Sequence, residues 1–101
     1  MTDLTQAQQD ALDAAAFRRL LKHLDDNKEV QNIDLMILAG FCRNCLSKWY
    51  KAAADKAGLD VDMDAARRRI YGMDYADWKA NHQPKATAAQ LAAFEARTIK
   101  W

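Results

Sequence analysis

The stretch Ile33-Asp34-Leu35-Met36-Ile37-Leu38-Ala39-Gly40-Phe41-Cys42-Arg43-Asn44-Cys45-Leu46-Ser47-Lys48-Trp49-Tyr50 decides the fold. Its apolar opening, Leu35 to Ala39, could pass for a buried strand leading into a cysteine-bearing helix, or it could be helix from the start. A strand needs a partner, and no other segment alternates like a strand. As helix, with residues about 100° apart, Leu35, Leu38, Cys42, Cys45, Leu46, Trp49 and Ala53 share one face. One helix from Lys28 or Asn32 to Ala57 is therefore expected, with Gly58 suited to the left-handed stop. The opposite face carries Asn44, Lys48, Lys51 and Asp55 in its C-terminal half, but Ile33 and Ile37 in its N-terminal half. A helix apolar on every side is buried on every side. Either other helices surround Ile33 to Phe41, or a second copy of the chain does.

The flanking segments read the same way. Thr5-Gln6-Ala7-Gln8 fits a capping box, and Leu12, Ala16, Phe17, Leu20, Leu21 and Leu24 then recur at helical spacing. Asp25-Asp26-Asn27 breaks that helix, and Asp26 or Asn27 could cap the next. Asp60, Asp62 and Asp64 lead into a short helix with Ala65, Ala66, Ile70 and Tyr71, stopped at Gly72. Asp74-Tyr75-Ala76-Asp77 opens another, running through Trp78 to about His82 with Pro84 just beyond. Thr87-Ala88-Ala89-Gln90 is a second capping box, leading a final helix through Leu91 and Phe94 towards Ile99. The expected fold is all-α: residues 1–101 as a single compact orthogonal array or bundle of about five helices.

Composition agrees. The chain has 101 residues, 50% apolar and 29% charged, with three glycines and one proline, which suits a single helical domain. A net charge of +1 offers little of the basic surplus on which nucleic-acid binding relies. The longest apolar run, Leu35 to Cys42, is far short of a membrane span. The N-terminus lacks the charged and apolar regions of a secretion signal, and two cysteines make no disulfide framework. A cytoplasmic location is expected.

The run from His23 through Asn32-Ile33-Asp34-Leu35-Met36 and Phe41-Cys42-Arg43-Asn44-Cys45-Leu46-Ser47-Lys48-Trp49-Tyr50, together with Ile70-Tyr71-Gly72-Met73, Tyr75 and Trp78-Lys79, resembles the small bacterial family catalogued as domain of unknown function 1244. The resemblance covers nearly all of the chain beyond its first dozen or so residues. It implies a stand-alone helical protein with no established activity, and it supplies no catalytic or binding residues.

Chemistry must then come from the residues themselves, and Cys42-Arg43-Asn44-Cys45 is the main constellation. Both cysteines could be small buried core residues. They could be a thiol-redox pair, which needs the first cysteine at a helix N-terminus. Gly40 could supply that break, whereas mid-helix a disulfide would strain the backbone. They could also join His23 and His82 in a structural zinc site, although both histidines are isolated and have a simpler use as cations at helix C-termini. The expectation is no metal and no cofactor, with zinc as the alternative.

Other features have plainer readings. Arg67-Arg68-Arg69 points in three directions around its helix. The Asp60-Asp62-Asp64 alternation lacks the glycine and glutamate of a calcium loop, holding Ala65 and Tyr71 in their places. Tyr71, Tyr75, Trp78, Trp49 and Tyr50 serve either as core or as a surface, with Arg43, Lys48 and Lys79 as cations for a protein or small acidic ligand. No hydrolase triad, phosphate loop or glutamate pair is present. The expected function is a non-enzymatic interaction or structural protein forming a homodimer, with Ile33, Ile37, Phe41, Trp49, Tyr50, Tyr75 and Trp78 as its surface. The alternative is a thiol-redox or metal-binding protein acting through Cys42 and Cys45.

Overall fold

The computed structural model describes residues 3–99. Six helices make up their regular structure, in the order α1 (Gln6–Asp26), α2 (Asn32–Ala39), α3 (Arg43–Lys56), α4 (Met63–Tyr71), α5 (Tyr75–His82) and α6 (Ala88–Ala96). The fold is all-α, as the caps and periodicity require. Thr5 and Thr87 each form a complete capping box, with Gln8 and Gln90 reaching back to the cap backbone. Asp62 accepts the Ala65 N–H at 2.8 Å and so opens α4.

The single helix expected from Lys28 or Asn32 to Ala57 is instead two helices, because Gly40 adopts the left-handed conformation with φ 75°. A side chain would be strained there, while glycine takes it without cost. Gly40 closes α2 by donating to the Met36 carbonyl. Cys42 then turns extended and becomes the N-cap of α3. The face drawn through Leu35, Leu38, Cys42 and Trp49 is therefore not continuous: Leu38 is 75% and Trp49 52% exposed. Neither Asp26 nor Asn27 caps α2; Gln31 does, with Asp34 accepting its backbone N–H at 3.0 Å.

The most extensive packing is between α3 and α4, and α5 and the end of α1 lie against α4. Leu21, Leu24, Leu46 and Ile70 form the core cluster, flanked by Phe17, Leu20, Leu35 and Phe41. Burying each of the four is worth about 1.5–3 kcal/mol. The N-terminal half of α1 contributes nothing to that cluster, and Leu12, expected on the buried face, is 58% exposed. Helix α6 folds back onto α2, where the Gln90 amide donates to Asp34 at 3.0 Å.

Candidate functional site

The break at Gly40 creates the chemical centre of the molecule. Cys42 at the N-cap and Cys45 in the first turn of α3 bring their Sγ atoms to 3.7 Å. Both side chains are buried and both thiols are free. The thiol of Cys45 also lies 3.9 Å from Met36 Sδ, delivered by α2 across the break. Burial pushes the Cys45 thiol above the ordinary cysteine range, against a pull from the Cys42 backbone. The mid-helix placement expected for the pair is thus replaced by the helix-start placement that thiol chemistry uses. His23 and His82 do not join it: among the described residues, no three His, Cys, Asp or Glu side chains gather into a metal-sized group.

Between the cysteines, Arg43 turns inward. Its guanidinium donates to the carbonyls of Val30 at 2.7 Å, Leu24 at 3.2 Å and Asn27 at 3.2 Å, and to Asn32 Oδ1 at 3.2 Å. It lies 5.0 Å above the Trp78 ring. A cation among the closing carbonyls of α1 complements the negative end of that helix. Burial draws the Arg43 pKa down, and the guanidinium still keeps its charge. Arg43 is therefore part of the scaffold, and is not available as a cation for an acidic ligand.

Next to it, Asn32 donates to Tyr71 Oη at 3.0 Å, and that hydroxyl donates to Asn44 Oδ1 at 2.8 Å. The chain of bonds reaches Tyr75, whose hydroxyl accepts from Asn44 at 3.4 Å. Burial raises the Tyr71 pKa strongly. Satisfied polar groups of this kind fix the mutual placement of the elements that carry them. Tyr71 stood in the aromatic group read as core or surface, but Asn32 and Asn44 were not singled out in the sequence, where two amides inside an otherwise apolar stretch were the available sign.

The expected surface residues divide. Trp78 is 1% exposed and belongs to the core, tilted against Tyr71 with 4.9 Å between ring centroids. Tyr75 is half-buried beneath two cations, Arg67 at 5.1 Å and Lys79 at 5.5 Å from its ring. A groove of about 730 Å³ runs past it, lined by Asp64, Arg68, Asp74, Tyr75 and Lys79. Its mixed charges favour neither sign of ligand. Trp49 stacks on Phe41 at 6.4 Å, Tyr50 is exposed, and Ile33 and Ile37 are half-buried.

A family described as protein of unknown function (DUF1244) matches residues 30–96. The chain belongs to this family. The match begins at Val30 and so takes in α2 to α6, with the cysteine pair, Arg43 and the Asn–Tyr network, while α1 lies outside it. No curated protein matches the chain. Among the described residues, no helix is long and apolar enough to cross a membrane.

Proposed function

We propose that this chain is a non-enzymatic helical interaction protein that works as a homodimer, joined through α2 and its seam with α6. The observation that carries this reading is the state of α2. Its sequence is Asn-Ile-Asp-Leu-Met-Ile-Leu-Ala, and not one of its residues is buried in the single chain. Helix α6, which packs on it, also holds no buried residue. So apolar a helix is normally enclosed on most sides.

The dimensions support the same reading. The chain exposes 7207 Å², whereas a compact monomer of 11.5 kDa exposes about 5,800 Å². The excess of roughly 1,400 Å² is shared by α2, α6 and the exposed first half of α1, and a standard interface takes ~800 Å² from each partner. The radius of gyration is 15.8 Å, against about 13 Å for a compact domain of this length. A near-neutral net charge lets two copies approach without mutual repulsion. Free buried thiols suit a reducing compartment, and the cytoplasm is the proposed location.

The test places a charge on the seam. Leu38→Glu is expected to convert the dimer to a folded monomer, because a buried carboxylate has no partner there. Leu12→Glu, on the projecting half of α1, is the control and leaves the dimer intact. Size-exclusion with light scattering reads both, and a Leu38→Glu protein of unchanged mass would refute the proposed interface.

A further inference from the structure

At the break between α2 and α3, Cys45 Sγ has two sulfur neighbours, Cys42 Sγ at 3.7 Å and Met36 Sδ at 3.9 Å. We propose that Cys42, Cys45 and Met36 form an all-sulfur binding site for a soft monovalent cation, copper(I).

The spacing fits an ion held between the sulfurs. Metal–sulfur bonds of about 2.3 Å set sulfur atoms about 4.0 Å apart in a trigonal plane and about 3.8 Å apart in a tetrahedron. The two separations made by Cys45, 3.7 and 3.9 Å, lie close to those values. A linear bridge between two sulfurs would need them about 4.6 Å apart, wider than the pair at the start of α3.

The donor set selects the ion. Thiolate and thioether sulfur are soft ligands and favour copper(I). Structural zinc takes four nitrogen, sulfur or carboxylate ligands, and among the described residues no third His, Cys, Asp or Glu stands with the cysteines. A thioether without a proton to lose adds no charge, so the site carries two thiolates against one cation. The remaining negative charge lies at the first turn of α3, where the helix dipole favours it.

Binding balances simply. The ion displaces one proton from each thiol, both protons go to solvent, and three sulfur–metal bonds replace the contacts that Cys45 now makes with Cys42 and Met36. No electron is transferred. Met36 is the partly exposed member of the trio in the single chain. The site lies within one chain, so it stands even if the chain is a monomer.

The test uses the full-length reduced protein, loaded anaerobically with copper(I) and challenged with bicinchoninate. One equivalent retained per chain is expected, with X-ray absorption showing three sulfur neighbours at about 2.3 Å. Cys42→Ser and Cys45→Ser should each lose the ion. Met36→Leu, which conserves volume, should weaken retention by about tenfold or more and drop the sulfur count from three to two. Should a serine variant fail to fold, the absorption spectrum of the native protein and the Met36→Leu comparison still decide. Loss of all copper to the chelator, two sulfur neighbours in the native protein, or unchanged retention in Met36→Leu would each overturn the site.

Discussion

The Arg43 guanidinium lies 5.0 Å above the Trp78 ring, and both residues are almost wholly enclosed, at 2% and 1% exposure. The cation is held by neutral acceptors: three backbone carbonyls at the end of α1 and its loop, and the Asn32 side chain. The pairing joins α3 to α5 while the hydrogen bonds join α3 to α1, so one side chain ties together three parts of the chain.

Arg43→Lys should therefore cost stability although it keeps the charge. An ammonium lacks the planar fork and cannot reach the same carbonyls, leaving buried acceptors unpaired. A loss of about 2 kcal/mol is expected, read as a lower urea midpoint. An unchanged midpoint would mean that the loop from Asn27 to Gln31 holds itself.

Tyr71→Phe removes the hydroxyl shared by Asn32 and Asn44 and should cost about 1–2 kcal/mol. The same substitution tests a pH effect. Burial raises the Tyr71 pKa above its ordinary 10.0, so above pH 10 the unfolded chain releases this proton while the folded chain retains it. The contribution of Tyr71 is full below pH 10 and is lost as pH rises further. Urea denaturation of the native protein and Tyr71→Phe across that range checks the sign. The native protein should lose more stability than the variant, and equal losses would place the effect elsewhere.

The two ends of α1 should respond differently to truncation. Leu24 is buried and Leu12 is 58% exposed. Leu24→Ala is expected to cost about 2–5 kcal/mol, and Leu12→Ala to stay within about 0.5 kcal/mol of the native value. Thermal denaturation of both variants reads the contrast. A large effect at Leu12 would mean that this half of α1 is packed after all.

Elements with a local code were legible in the sequence. Thr5 with Gln8 and Thr87 with Gln90 announce helix starts, and Gly72 announces a stop, because each acts within a few residues of itself. Gly40 carried the same signal, but the apolar residues on either side of it also fitted one continuous helix. Periodicity is blind to a break that costs a single glycine conformation. That one break decides the site, since it moves Cys42 from mid-helix to a cap and brings Met36 to Cys45. The inward turn of Arg43 was hidden for a different reason: its acceptors are backbone carbonyls, which leave no trace in residue identity. Trp78 misled because an aromatic ring with a polar handle suits core and surface equally.

The claim on which the functional reading depends is that the apolar side of α2 meets a second copy. Sedimentation equilibrium of the full-length reduced protein at micromolar concentration measures it most directly. A single species of twice 11.5 kDa is the expected result, and a species that stays at the mass of one chain throughout would contradict it.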